Sequence, residues 1–307
     1  MSISVVIPAY KAAATIERAV TSVLQQTLPP NQILVVDDGS PDGDTLAEVL
    51  AKFGTAVTLL KKANGGASSA RNYGIDHASC DWVAFLDADD YWERDKLEKQ
   101  SSVAQNNPEV SLVGCRWYTE TPGQPRTREG VIATFPYDQV LRTQGRQTFD
   151  LACSVWTGSV FVRRAALASE RFITGLEPAE DRDLWIRLLS VNSIYILADV
   201  LATYVQEPGG ISRSNIDRDS LSMLEVMKRH AHLLGPSGLR YWKANIYRRW
   251  AASYLARGQF SKALPHSLHR LALEPTALES WWIVFKSAVS WAFKGNSPLL
   301  AGPGQQS

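Results

Sequence analysis

The chain is poor in cysteine and has no long apolar run. Among its 307 residues there are three cysteines, Cys80, Cys115 and Cys153, whose odd number and wide spacing fit neither a disulfide framework nor a zinc site. We therefore expect reduced, buried thiols and a cytoplasmic protein. No uninterrupted apolar stretch reaches the roughly 18 residues of a membrane span. The first residues have a strand pattern rather than that of a signal peptide.

Several ligand-binding signatures are also missing. The chain has no Gly-x-x-x-x-Gly-Lys loop and no Gly-x-Gly-x-x-Gly after its first strand, so P-loop phosphoryl transfer and dinucleotide redox chemistry lack their usual signatures. No dense block of Lys and Arg is interleaved with aromatic residues, which argues against nucleic-acid binding.

The net charge of +1 is unevenly distributed. Residues 1–204 contain 19 Lys and Arg against 25 Asp and Glu, a net charge of −6. Residues 205–307 contain 13 against 6, a net charge of +7. An acidic, Asp-rich region suits a divalent cation, whereas a basic region suits anionic surfaces or phosphates.

Short β-branched runs alternate with helical patterns in the first hundred residues. The predicted strands are Ile3–Ile7, Ile33–Val36, Val57–Leu60 and Trp82–Leu86, and the predicted helices are 12–26, 44–53 and 67–77. This alternation indicates a parallel sheet covered on both faces, in which ligands bind beyond the carboxyl ends of the strands. Shorter strands at 111–115, 159–162 and 194–197 and a helix over 181–191 follow, and from 217 onwards only helices are predicted, broken at Gly235-Pro236 and near Gly258.

Acidic residues follow two of these predicted strands. Asp87-Ala88-Asp89 offers two carboxylates that can point towards one Mg²⁺ or Mn²⁺ ion, although solvated acids in a turn are an equal alternative. Asp37 and Asp38 could accept hydrogen bonds from a base or ribose, and the alternative is a capped turn.

Two helix starts carry further candidates. The Gly-rich segment 65–72 could bind an anion through free backbone N–H groups, and Arg71 adds a positive charge that would attract a diphosphate. Glu180, Asp181 and Asp183 begin another helix, where they either complement the helix dipole or supply a general base.

Taken in order, these segments resemble the inverting family-2 glycosyltransferases of the GT-A fold. The segments are Val5-Val6-Ile7-Pro8-Ala9-Tyr10, Val35-Val36-Asp37-Asp38-Gly39-Ser40, Gly65-Gly66-x-x-x-Ala70-Arg71-Asn72-x-Gly74, Phe85-Leu86-Asp87-Ala88-Asp89-Asp90 and Glu180-Asp181-x-Asp183-Leu184-Trp185. The resemblance covers roughly residues 1–215. It implies an α/β fold with a mixed, Rossmann-like sheet in a catalytic domain, 1–215, followed by a helical region, 216–307.

The resemblance also implies roles for individual residues. Pro8, Ala9 and Tyr10 would line the nucleotide-base pocket, Asp37 and Asp38 would bind base and ribose, and Arg71 would lie near the nucleotide. Asp87, with Ala88 beside it, would contact ribose, and Asp87 and Asp89 would hold Mn²⁺ or Mg²⁺ on the diphosphate. Asp181 would be the catalytic base, with Glu180 as its neighbour in the motif. The implied donor is a UDP-sugar, and the implied acceptor is a glycan or a lipid-linked molecule.

The chain departs from the family pattern at two places. Arg171–Leu176 stands where a Gly-Gly-Phe-Asp-like stretch is common, so the acceptor wall is expected to differ. The loop after Tyr204 lacks the His that many members carry over the diphosphate, so either Gln206 or Arg213 substitutes or the loop does not touch the metal.

Two other functions remain as alternatives. A sugar-nucleotide nucleotidyltransferase shares a related sheet, but it would need a Gly-rich, basic loop where this chain has Pro8-Ala9-Tyr10-Lys11. An inactive nucleotide-sugar-binding protein would be favoured by loss of Asp89 or Asp181, and both are present.

The segment 281–293 is rich in aromatic residues and is followed by Lys294. A helix of this length spans only about 20 Å, too short to cross a bilayer. Its three Trp and two Phe, with Lys286 and Lys294, predict either a peripheral membrane contact through residues 281–294 or a helix whose aromatics pack as ordinary core.

Overall fold

The computed structural model describes residues 1–131, 134–206, 215–276 and 278–295. Contacts divide the chain into two units, Met1–Ser214 and Asn215–Ser307.

The first unit is built on a ten-stranded sheet. Its strands are β1 (Ile3–Ala9), β2 (Gln32–Asp37), β3 (Thr58–Lys61), β4 (Trp82–Phe85), β5 (Tyr91–Trp92), β6 (Val110–Glu120), β7 (Thr127–Glu129), β8 (Val140–Leu141), β9 (Phe161–Arg163) and β10 (Ser193–Val205). Its helices are α1 (Ile16–Leu24), α2 (Gly43–Ala51), α3 (Gly66–His77), α4 (Lys96–Asn106), α5 (Arg146–Ala152) and α6 (Glu180–Leu189).

The strand order is β3-β2-β1-β4-β9-β6-β10-β5, with β7 on β6 and β8 on β10. Strands β1 to β4 pair in parallel, and β9 lies antiparallel between β4 and β6. Because β10 is parallel to β6, the carboxyl ends of β1, β2, β4, β6 and β10 share one edge, and β9 begins there. The expected α/β fold with a mixed sheet is therefore confirmed.

The long strands β6 and β10 extend well beyond the short strands predicted for them. The predictions followed only the apolar stretches, whereas the two strands pair with each other as far as Val205 and Glu120, through half-buried residues such as Arg116. A polar, half-buried strand end gives no clear apolar pattern, so the sequence could not show where these strands end.

The second unit consists of helices, as expected. They are α7 (Ile216–Arg229), α8 (Ala231–Ala256), α9 (Phe260–Leu273) and α10 (Leu278–Gly295). Both predicted breaks are confirmed: Gly235 interrupts α8 with a φ of 61°, and Gly258, with a φ of 69°, separates α8 from α9. Trp250, Tyr254 and Ala263 form the buried centre of the unit. Across the described ranges, no helix is long and apolar enough to cross a membrane.

Helix α3 packs very closely on the central strand β1. A Cβ atom added to Gly74 would lie 2.3 Å from Cγ1 of Val6, so this crossing requires glycine. The close approach matters for the site because α3 carries Arg71.

We expect Gly74→Ala to lower the free energy of unfolding by about 1–3 kcal/mol, because the added methyl overpacks a fully buried contact. Urea unfolding of the full chain measures this change. Gly114→Ala is the matched control, since a Cβ there would meet Ile196 at 3.6 Å, an ordinary contact. Equal effects of the two substitutions would contradict the prediction.

Candidate active site

The candidate residues gather where the parallel strands end. Tyr10 follows β1, Asp38 follows β2, and Asp87 to Asp90 follow β4. The starts of α3 and α6 supply Arg71 and the pair Glu180 and Asp181. Ion pairs join three of these segments directly, namely those that carry Arg71, Asp87 and Glu180.

Two turns form the wall that the sequence assigned to the nucleotide base. Pro8 and Ala9 pair in register with Val36 and Asp37, and Tyr10 projects beyond the strand with 45% of its surface exposed. Oδ1 of the buried Asp37 accepts a 2.9 Å hydrogen bond from the backbone N–H of Ser40, which closes its turn. The exposed ring of Tyr10 is therefore the one large side chain of this wall that could stack on a planar ligand.

Asp38 anchors the Gly-rich loop. Its carboxylate accepts hydrogen bonds from Nζ of Lys62 at 2.5 Å and from the backbone N–H groups of Gly65 at 3.1 Å and Gly66 at 2.7 Å. Two of the N–H groups that were expected to be free to bind an anion, those of Gly65 and Gly66, donate to Asp38 instead. Lys62 was missed by the sequence analysis, since an isolated lysine after a strand carries no signal.

Arg71 lies between two acids from different segments. Its Nη1 donates to Oε1 of Glu180 at 2.7 Å, and its Nη2 donates to Oδ1 of Asp87 at 2.8 Å. Burial opposes the charge on Arg71, but the carboxylates of Asp87 and Glu180 outweigh it and raise the pKa of the guanidinium. The ring of Phe172 lies 5.4 Å from the guanidinium. The arginine is thus a charged, buried connection between the end of β4 and the start of α6.

Glu180 is buried against this arginine. Burial raises the pKa of its carboxyl, and the ion pair with Arg71 offsets only part of that effect. Because one oxygen is committed to the guanidinium, the geometry suits Glu180 to holding Arg71 better than to accepting a proton from a substrate.

Asp181 is half-buried at the start of α6. Its Oδ2 accepts a 3.2 Å hydrogen bond from Oγ1 of Thr157, and its Oδ1 accepts one from the backbone N–H of Arg182 at 2.7 Å. By contrast, Asp183 is fully buried and pairs with Nε of Arg187 at 2.8 Å, so it lies in the core and offers no surface to a substrate. Thr157 was missed because it lies 24 residues from Asp181 in a segment with no motif.

Two buried side chains, those of Trp92 and Gln100, hold the turn that carries Thr157. Nε1 of Trp92 donates to the carbonyl oxygen of Gly158, and Nε2 of Gln100 donates to that of Ser159, both at 2.9 Å. Lys96 is fully buried and contacts both of these side chains. Its Nζ lies 2.7 Å from Oε1 of Gln100 and 4.0 Å from the centre of the Trp92 ring. The position of Thr157, which donates a hydrogen bond to Asp181, therefore depends on the buried cluster of Trp92, Lys96 and Gln100.

The acids after β4 have different surroundings. Asp87 and Asp89 are part-exposed, and the backbone oxygen of Asp89 accepts a hydrogen bond from Arg18. Asp90 is buried and accepts a 2.7 Å hydrogen bond from the N–H of Val205, and burial raises the pKa of its carboxyl. Asp90 thus ties the Asp87–Asp89 segment to the end of β10, a role that no motif in the sequence indicates.

In the described ranges, no three His, Cys, Asp or Glu side chains converge on a point where they could hold a metal. The pair Asp87 and Asp89, with the buried Ala88 between them, fits a divalent ion only as part of a shell completed by substrate oxygens and water. Mg²⁺ and Mn²⁺ are commonly bound in this way beside phosphates. Hard carboxylate oxygens that are part-exposed are compatible with such a shell.

Comparison with known proteins decides the family. A model described as "Glycosyl transferase family 2" matches residues 4–168, more than half of the chain. The chain belongs to glycosyl transferase family 2. As a member of this family it is a glycosyltransferase, and the motifs around Pro8, Asp38, Arg71 and Asp89 all lie within the matched residues.

Two curated relatives illustrate the range of similarity. The amylovoran biosynthesis glycosyltransferase AmsB of Erwinia amylovora is 30% identical over 242 residues, which cover 75% of this chain and 79% of that protein. The uncharacterized glycosyltransferase EpsJ of Bacillus subtilis is 36% identical over 120 residues, which cover 39% of this chain and 35% of that protein.

A crystal structure of S. aureus TarS 1-349 with UDP-GlcNAc is similar to this chain, with a TM-score of 0.61. The match covers 96% of this chain and 92% of that one at 16% sequence identity, so it shows the fold. The mixed sheet with a helical C-terminal region is accordingly the GT-A fold.

The buried lysine gives a pH-dependent prediction. Burial lowers the pKa of Lys96 from 10.5 to about 8, so between these pH values the unfolded chain binds a proton that the folded chain has lost. The contribution of Lys96 to the free energy of unfolding therefore rises as the pH increases from about 8 to about 10.5. We expect Lys96→Met to lack this rise in urea unfolding measured across that range. The exposed-lysine control Lys61→Met should keep the wild-type slope, and parallel slopes for Lys96→Met and wild type would contradict the prediction.

Proposed function

We propose that this glycosyltransferase moves a sugar from a UDP-sugar to an acceptor hydroxyl with inversion, using Asp181 as the base. The observation that carries the proposal is the position of Asp181, half-buried and hydrogen-bonded by Thr157, next in sequence to the Glu180 that pairs with Arg71. A carboxylate that is oriented but still accessible suits removal of a proton from an attacking hydroxyl.

Named structural neighbours support the choice of donor. TarS has been crystallised with UDP-GlcNAc and with UDP. The mannosyltransferase PcManGT of Pyrobaculum calidifontis, with a TM-score of 0.50 and 18% identity, was studied in complex with GDP-Man and Mn²⁺. A nucleoside diphosphate sugar is therefore the donor class we propose, with UDP preferred and GDP or dTDP as the alternatives.

The proposed chemistry follows from charge. Breaking the bond between the anomeric carbon and the phosphate oxygen leaves negative charge on a nucleoside diphosphate, and fixed positive groups stabilise that charge in the transition state. A divalent ion bound by Asp89 and Asp87 would supply Lewis-acid stabilisation of the leaving diphosphate. Arg71 holds Asp87 in place and adds positive charge from within the fold.

The other residues position the reactants. Tyr10 and Asp37 would bind the base, while Asp38 acts through the Gly-rich loop it anchors. Asp181 would take the proton of the acceptor hydroxyl as the oxygen attacks the anomeric carbon from the face opposite the diphosphate. A single displacement of this kind inverts the anomeric centre.

The names of relatives suggest the class of acceptor. AmsB is an amylovoran biosynthesis glycosyltransferase, and TuaG of Bacillus subtilis, 42% identical over 100 residues, is a putative teichuronic acid biosynthesis glycosyltransferase. The TuaG match covers 32% of this chain and 40% of that protein. We propose that this chain also acts in polysaccharide or glycoconjugate synthesis, on a glycan or lipid-linked acceptor.

Metal dependence of donor binding is the first test. We expect calorimetry to show tight binding of UDP with Mn²⁺ and much weaker binding with EDTA, because the diphosphate and Asp89 would share the ion. GDP and dTDP serve as competitors. Asp89→Asn should lose most of the effect of Mn²⁺, whereas Asp44→Asn, which changes an exposed acid on α2, should keep it. Equal UDP affinity in Mn²⁺ and EDTA would remove the metal from the proposal.

The second test concerns the base. Asp181→Asn keeps the shape of the side chain but accepts no proton, so we expect turnover to fall about 10²–10⁴-fold with little change in donor affinity. Release of UDP from a panel of nucleotide sugars measures turnover. Glu180→Gln is the comparison, and it should instead weaken folding and donor binding through Arg71. Near-normal turnover of Asp181→Asn would assign the base to another group.

A further inference from the structure

Helix α10 buries one side and exposes aromatic side chains on the other. Ser280, Ile283 and Ser287 are buried, and Oγ of Ser287 lies 3.0 Å from Oγ of Ser267 on α9. The exposed fractions of four apolar residues are 86% for Leu278, 56% for Trp281, 60% for Trp282 and 58% for Phe285. These four residues are called the aromatic face below.

The geometry of a helix makes this arrangement a single surface. At about 100° per residue, the four residues of the aromatic face fall within an arc of about 100°, and the three buried residues lie on the opposite side. The alternative that the aromatics pack as core is therefore wrong for Trp281, Trp282 and Phe285. The side chains of Trp291 and Phe293 lie outside the described part of the chain.

The charge of this unit indicates what the face binds. Residues 215–307 contain 12 Lys and Arg against 5 Asp and Glu, a net charge of +7. Lys286 is exposed, next to Phe285 and one helical turn from Trp282. A second copy of this chain would bring a second +7 unit close to the first, which repulsion disfavours. An anionic surface would instead be attracted.

We propose that the aromatic face docks on the surface of an anionic lipid bilayer. Trp and Phe at the boundary between headgroups and acyl chains, with Lys beside them, are the pattern of helices that lie in a membrane surface. The described part of the chain contains no helix able to span a membrane. The contact that we propose is a peripheral one, made by side chains on one face of α10. This inference does not depend on the donor, the metal or the catalytic base.

Vesicle flotation of the full chain without nucleotide tests the proposal. We expect the chain to float with vesicles of phosphatidylglycerol and phosphatidylcholine at low salt, and to float much less with pure phosphatidylcholine or at high salt. The triple variant Trp281→Ser, Trp282→Ser, Phe285→Ser should lose at least about tenfold in bound fraction, because its apolar anchor is removed. Quenching of tryptophan fluorescence by brominated lipids measures insertion independently.

Leu221→Ser is the matched control, since it removes an exposed apolar residue of the same unit on α7, with an exposed fraction of 57%. It should float like the wild type, and circular dichroism checks the fold of every variant. Absence of flotation for the wild type, or equal flotation of the wild type and the triple variant, would overturn the proposal. If the wild type does not float but forms concentration-dependent dimers, and the triple variant does not form them, the aromatic face would instead bind a second copy of the chain.

Discussion

The site depends on one buried charge. Arg71 is almost inaccessible to solvent, and an arginine in that position needs acidic partners because burial of an unpaired charge is very unfavourable. Its partners, Asp87 and Glu180, come from the end of β4 and the start of α6. Pairing them fixes the ion-binding segment relative to the helix that carries Asp181. The close contact between Gly74 and Val6 places α3, and with it Arg71, at the required depth.

The acids of the site divide into two groups with different surroundings. Asp38 and Asp90 are buried, and their oxygens accept hydrogen bonds from the chain itself. Asp87 and Asp181 are part-exposed and keep surface that is accessible to solvent. The first group shapes loops and strand ends, whereas the second is able to meet a substrate or an ion. Asp38 is tolerated in the interior because Lys62 and two backbone N–H groups donate hydrogen bonds to its carboxylate.

The sequence predicted the parallel strands, the starts of α2, α3 and α6 to within one residue, and the edge where the site lies, because apolar periodicity and acids at strand ends are local features. It did not predict α4 or α5, and α1 begins four residues after the predicted start. It could not predict which groups of the chain donate hydrogen bonds to these acids. The donors to Asp38, Asp181 and Asp90 come from Lys62, Thr157 and Val205, which are distant along the chain and belong to no motif. The antiparallel strand β9 between two parallel neighbours was likewise not visible in a short apolar run.

A double-mutant cycle on Arg71 and Glu180, measured as the free energy of unfolding, tests the central role of this ion pair most directly. Arg71→Met leaves both carboxylates without their partner, and we expect a loss of about 3–5 kcal/mol. Adding Glu180→Gln removes one of these charges, so the double variant should recover at least about 1 kcal/mol relative to the sum of the single losses. Strictly additive losses, or a small effect of Arg71→Met, would contradict the account in which this arginine holds the site together.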